Sequence, residues 1–254
     1  MRRPSKFVPP SIPACLSQAQ AQAELAATSL SGRRLHRVRR GRYVALSENA
    51  QPHAIARFSH PGEALVPLDH FLAAATRAYP GERERTETRA AELKNHLLAM
   101  LGRLPPGSPG IRRARTVIEH ASPWSESAWE TRLRWILLLA GFTSVELQVE
   151  MRVGGQRYRS DLAIPIGRRA DGRTIWLHIE FDGRIKYGRG SADATSETVR
   201  CERERELSIT GTGDRLVRFT AGELTDPDAV VTKVREQLTD VPLPPLRPVR
   251  SLAA

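Results

Sequence analysis

Residues 158–183 read YRSDLAIPIGRRADGRTIWLHIEFDG, two runs of strand-forming residues around a turn rich in Gly and Arg. In the second run Ile175, Leu177, Ile179 and Phe181 alternate with Trp176, His178, Glu180 and Asp182, the period of a strand whose two faces differ. The first run, 158–164, has the same character, and Gly167-Arg168-Arg169-Ala170-Asp171-Gly172 is turn-like. The two runs are therefore expected to pair as a hairpin. Such a hairpin lets Asp161 on one strand meet Glu180 on the other, and period two puts Asp182 on the face of Glu180. Three carboxylates gathered in this way are hard oxygen donors, suited to Mg²⁺ or Mn²⁺ more than to zinc. Lys186, four residues beyond Asp182, is placed to offer an ammonium to an attacking water or a scissile phosphate.

Taken singly, each acid has an ordinary structural reading: Asp161 paired with Arg157 or Arg159, Asp182-Gly183 as a turn, Glu180 as a strand residue. Their neighbours favour the joint reading. Upstream, Ser125 is a candidate cap for a helix over 125–140, with Trp129, Leu133, Ile136, Leu137 and Ala140 as its apolar stripe and Gly141 as its end. A strand over 145–151 follows. Beyond the hairpin come a charged helix over 193–209, a strand over 216–219 and a helix opening at Asp226-Pro227. The order is α-β-β-β-α-β plus one terminal helix, an α/β (α+β) fold.

The 254 residues carry 39 Lys and Arg against 28 Asp and Glu, a formal net charge of +11, which favours a polyanionic partner through counterion release. No apolar stretch approaches the length of a membrane span. The two cysteines, Cys15 and Cys201, are too few for a disulfide framework or a thiolate zinc site, so a reducing cytoplasm fits best. Met1-Arg2-Arg3 resembles the start of an export signal, but Pro4, Pro9, Pro10 and Pro13 interrupt any apolar stretch after it.

The chain divides on composition into a Pro-rich tail (1–16), a basic DNA-binding module (17–50), a helical connecting region (51–121), the domain holding the acids (122–239) and a Pro-rich basic tail (240–254). Within 17–50, a helix is expected over 16–30 and two short strands about Gly41. Arg33, Arg34, Arg37, Arg39, Arg40 and Arg42 cluster there, a density suited either to a winged-helix wing lying along phosphates or to a solvated basic hairpin. Helices are expected over 68–78 and 86–104, and a short basic one over 111–120.

The element order and the acidic spacing resemble the PD-(D/E)XK nuclease superfamily, with its restriction-endonuclease-like αβββαβ core. More narrowly, Glu126-Ser127, Glu130, Arg134, Gly141, Asp161 to Pro165, Glu180 to Gly183, Lys186-Tyr187, Arg203, Leu207 and Leu216 to Thr220 resemble the endonuclease-like domain related to very short patch repair endonucleases. That likeness covers residues 122–224. Residues 35–46 are similar to the winged-helix hairpin of actinobacterial proteins that resemble abortive-infection antitoxins. The resemblance implies that Asp161 and Glu180 bind the metal and that Glu130 or Glu126 assists from the preceding helix. The superfamily's lysine, two residues after the second acid, is replaced by Asp182.

On the next helix Arg200 and Arg203 are candidate phosphate contacts, or partners of the glutamates around them. His178, on the face of Glu180, is a candidate partner of the site or simply a packed residue. The expected function is a cytoplasmic, Mg²⁺-dependent DNA endonuclease acting in DNA repair or phage defence, alone, as a homodimer or with a protein partner. The alternative is a noncatalytic DNA-binding regulator or antitoxin-like protein on a degenerate nuclease fold.

Overall fold

A computed structural model describes residues 38–40, 43–45, 51–153, 156–182, 213–241 and 246–253. Strands β1 (Val38–Arg40) and β2 (Tyr43–Ala45) form a small antiparallel pair in which Arg40 stands opposite Tyr43. Six α-helices are described: α1 (Gln51–Phe58), α2 (Pro61–Thr76), α3 (Arg83–Gly102), α4 (Ile111–His120), α5 (Ala128–Ala140) and α6 (Pro227–Glu236). Between α5 and α6 lie β3 (Glu146–Val153), β4 (Gln156–Arg168), β5 (Thr174–Asp182) and β6 (Arg215–Thr220). They make one sheet in the order β3-β4-β5-β6. The first two pairings are antiparallel and β6 runs parallel to β5, giving a mixed α/β fold.

The expected hairpin forms at the expected place. Gly172 has φ 81° and closes the β4–β5 turn, where the Arg169 N–H donates to the Arg173 carbonyl at 2.8 Å. Helix boundaries shift where the sequence offers competing signals. Ser127 rather than Ser125 caps α5, its Oγ accepting the Glu130 N–H at 3.2 Å. Pro67 lies inside α2, whose start is set by Pro61. The helices expected over 16–30 and 193–209 lie outside the described residues, as do Arg33, Arg34, Arg37, Arg42, Lys186, Arg200 and Arg203. Arg39 and Arg40 are described only as backbone of β1.

Helix α5 is buried or half-buried at every position except Arg132 and packs on two sides. Leu133, Ile136 and Leu137 pack on Leu162, Ile164, Leu177, Ile179, Val217 and Phe219 of the sheet. Its Leu138, with the half-buried Trp135 and Leu139, packs instead into a helical core of Leu65, Leu68, Leu72, Leu97, Leu101, Val117 and Ile118. The 51–121 stretch, expected as a connector, thus has a core of its own that is shared through α5.

The Pro-rich C-terminal stretch, expected as a tail, is docked where it is described. The Arg247 N–H donates to the Gly141 carbonyl at 3.1 Å, and the Val249 N–H to the Leu138 carbonyl at 3.2 Å. The Trp135 Nε1–H donates to the Leu252 carbonyl at 3.0 Å, and Leu252 is fully buried. Gly141 ends α5 at φ 99°, and a Cβ there would lie 2.7 Å from the Arg247 nitrogen. Gly141→Ala is therefore expected to cost at least about 1–2 kcal/mol, the left-handed strain of an L-residue, and to loosen the docked stretch. Faster trypsin cleavage after Arg250 together with a lower Tm would report it, Arg247 being protected by Pro248; an unchanged digestion pattern would contradict the docking role.

Candidate functional site

Asp161 stands where the regular sheet breaks. On one side, β3 and β4 pair Leu147 with Leu162 and Val149 with Ser160, leaving Gln148 opposite Asp161 outside the ladder. Gln148 has φ 53° and is buried, a left-handed conformation costly for a side-chain-bearing residue. Arg83 caps the carbonyls turned outward there, donating to Leu147 O at 3.1 Å and to Gln148 O at 3.4 Å. On the other side, the β4–β5 pairs run only as far as Leu162–Ile179. Beyond that pair the Phe181 N–H donates to Asp161 Oδ2 at 2.7 Å. The carboxylate thus takes the place of a ladder carbonyl in the fork between two diverging strands.

The pleat of β4 changes face at the same point. Leu162 and Ile164 pack with α5, yet Tyr158, of the same parity, packs with Met151 and Leu216. Ser160 Oγ shares a 3.0 Å hydrogen bond with His178 Nδ1, and His178 pairs in register with Leu216. A strict period of two would put all four β4 residues on one face. The irregularity at the Gln148–Asp161 rung accounts for the switch.

Strand β5 keeps the alternation expected of it. Phe181 stacks on Trp129 of α5 with centroids 5.6 Å apart and rings 7° from parallel. Glu180 and Asp182 accordingly turn to the other face, where Glu180 Oε2 accepts from Arg218 Nε at 3.2 Å. Arg218 pairs in register with Glu180 on β6. It is the neighbour of Glu180 that sequence reasoning missed, because the register of a parallel pair separated by a long crossover has no local sequence signal.

Of the two glutamates expected on the helix, Glu126 precedes its Ser127 cap, and Glu130 is the one on α5 that senses the charge of Asp161. Its Oε2 accepts the Glu126 N–H at 2.8 Å while its own N–H goes to Ser127, close to the reciprocal geometry of a capping box. Glu126 is exposed, whereas Glu130 is only 6% exposed. Burial, and then the negative charge of Asp161, push the Glu130 carboxyl up to about 7. The Glu126 N–H and Ser127 oppose that rise without cancelling it. Glu130 and Asp161 therefore repel each other across the base of α5, a field that a cation would relieve.

His178 is 1% exposed, with Nε2 3.9 Å from Asp214 Oδ2. Asp214 also accepts the Trp176 N–H at 3.1 Å and lies 3.4 Å from Arg169. His178 is thus a packed residue that ties β4 to the start of β6. Among the described residues, no three His, Cys, Asp or Glu side chains converge closely enough to hold a metal ion by themselves. Also among them, no helix is long and apolar enough to cross a membrane. Comparison with protein-family models, with curated proteins and with solved structures finds no significant match.

Proposed function

We propose that the chain is a divalent-metal-dependent DNA endonuclease of the PD-(D/E)XK type, with its site in the fork between β4 and β5. The observation that carries this reading is the Asp161 carboxylate at an interruption of both neighbouring ladders, against the peptide between Glu180 and Asp182. Strained backbone next to an acid is a common setting for chemistry. A helix followed by three antiparallel strands and a parallel fourth is also the arrangement expected of the αβββαβ core. The +11 charge suits a nucleic-acid substrate.

The acids are hard oxygen donors of the type Mg²⁺ or Mn²⁺ takes, but no three of the described acidic side chains converge on one point, so binding an ion would require acid side chains to turn toward it. Asp161 and Glu130 supply mutually repelling oxygens, and Glu180 and Asp182 are the further acids that would help hold Mg²⁺ or Mn²⁺. When bound, such an ion polarises a phosphodiester and acidifies water. The protein's own contribution is positional. Phe181 N–H aims Asp161, Ser127 and Glu126 fix Glu130, and Arg218 holds Glu180. Arg218 is also suited to contact a phosphate as Glu180 turns to metal. Lys186 remains the proposed source of the missing superfamily lysine, and DNA repair or phage defence in the cytoplasm the proposed setting.

Nicking of supercoiled plasmid with Mg²⁺ or Mn²⁺, and its loss in EDTA, tests the reading. Asp161→Ala and Glu180→Ala are each expected to abolish nicking, whereas unchanged cleavage in both would remove the assignment. The Glu180–Arg218 ion pair, together with Asp182 in place of lysine, favours one alternative, a DNA-binding regulator without catalysis. That alternative expects salt-sensitive DNA binding that survives Asp161→Ala and no cleavage with either ion.

A further inference from the structure

We infer that Arg112 and Arg113 of α4, together with Arg247 and Arg250 of the docked C-terminal stretch, form a second contact surface for a nucleic-acid phosphate backbone. Folding brings these residues together from distant parts of the chain. Thr116 Oγ1 donates to Ser251 Oγ at 2.9 Å, and Arg112 and Arg113 lie one helical turn before Thr116 on its side of α4. Arg250 adjoins Ser251, and Arg247 is fixed beside Gly141 by its own N–H. Arg112, Arg247 and Arg250 are exposed and Arg113 is half-buried. None of the four has an ion-pair partner among the described residues; Glu119, the acid of α4, lies at the far end of the helix.

The chemistry favours nucleic acid over an anionic membrane. Of the apolar residues of α4, Ala114, Val117 and Ile118 are buried in the helical core and Ile111 is half-buried against it, so the surface has no apolar face to insert into lipid. Guanidinium groups matched to phosphate oxygens are what remains. The surface lies toward the C-terminal end of α5, about 16 Å along the helix from Glu130 at 1.5 Å per residue. A duplex seated in the fork could reach both. The inference extends the DNA reading above but does not depend on cleavage.

The test is fluorescence anisotropy with a 30-base-pair duplex in EDTA, for the full chain and for Arg112→Ala/Arg113→Ala/Arg250→Ala. Removing three phosphate contacts should flatten the log–log salt dependence by roughly 2.7. The affinity ratio between 50 and 200 mM salt should then shrink about 40-fold. A charge-matched variant, Arg89→Ala/Arg168→Ala/Arg235→Ala, is expected to retain most of the slope, and all three proteins should melt alike. Equal losses in both variants, no loss in the first, or tighter binding to phosphatidylserine vesicles than to the duplex would each overturn the surface. Failure of the nuclease reading would leave the difference between variants intact. Failure of the arginine surface would leave Asp161-dependent nicking intact.

Discussion

Asp69→Ala is expected to destabilise the fold by about 3–5 kcal/mol, the cost of leaving a buried charge without its partner. At roughly 2–4 °C per kcal/mol for a chain of this size, the Tm should fall by about 6–20 °C. Asp69 is buried on α2 and holds together groups from two other places, α5 and the segment before it. Arg134 Nη2 donates to both of its oxygens at 2.9 and 2.7 Å, Thr131 Oγ1 donates at 2.8 Å and the Ser122 N–H at 2.7 Å. Arg134 also donates from Nη1 to the His120 carbonyl. One carboxylate thus joins the helical core to α5, the helix that carries Glu130.

A second cation makes the loss larger. Lys94 donates to the Glu119 carbonyl at 3.0 Å. Its pKa is held below the ordinary value first by burial and then by the charge of Arg134, while Asp69 and Glu119 pull the other way. Without Asp69, only the charge of Glu119 is left to offset the repulsion between Arg134 and Lys94. Arg134→Met alone should also be costly, because it strands Asp69. The double variant Asp69→Ala/Arg134→Met should recover much of the loss, since a buried pair replaced by apolar groups is often close to neutral. Urea melts of the four proteins give the coupling; a single-variant loss below about 1 kcal/mol would show that the pair is not the joint described here.

The parts of the fold legible in the sequence are those set by local physics. The alternation of β5, the Asp171-Gly172 turn, the Gly141 helix stop and the Asp226-Pro227 helix start depend on residues within one turn or one strand of each other. Asp226 does cap α6, accepting the Asp228 and Ala229 N–H groups at 3.1 Å. Contacts between distant residues were not legible. Asp69 and Arg134 are separated by 65 positions, and either reads alone as a surface charge. The C-terminal stretch has the composition of a tail, and its seat, at the Leu138 and Gly141 carbonyls and the Trp135 indole, is made of residues more than a hundred positions away.

At the candidate site, the residue types were legible but their faces were not. Period two groups Glu180 with Asp182. It could not reveal the switch of face in β4, because a positive φ at Gln148 has no compositional mark of the kind a glycine provides. The Ser127-x-x-Glu130 spacing is a readable capping box. That spacing is the sequence signal that separates Glu130 from Glu126, since the capping glutamate is the one drawn back against its own helix start.

Glu130 should make the protein less stable as the solution becomes alkaline. Its carboxyl has an ordinary value of 4.5 and is pushed up to about 7 in the folded protein, so the folded state holds the proton more tightly than the unfolded chain. The resulting stabilisation is fully present below about pH 4.5 and is lost as pH rises through about 7. At about 1.4 kcal/mol per pH unit, the swing is about 3 kcal/mol. Glu130→Gln keeps an oxygen for the Glu126 N–H but cannot ionise. It should therefore match the native protein near pH 4.5 and exceed it by about 3 kcal/mol at pH 8 in EDTA. Other titrating groups largely cancel in that comparison, because both proteins carry them. Mg²⁺ at pH 8 should raise the Tm of the native protein more than that of Glu130→Gln, since a cation compensates the ionised carboxyl while the amide offers it a weaker ligand. A stability difference that stays constant from pH 5 to pH 8 would mean that Glu130 does not carry the strained charge assigned to it, and the electrostatic support for a cation beside Asp161 would go with it.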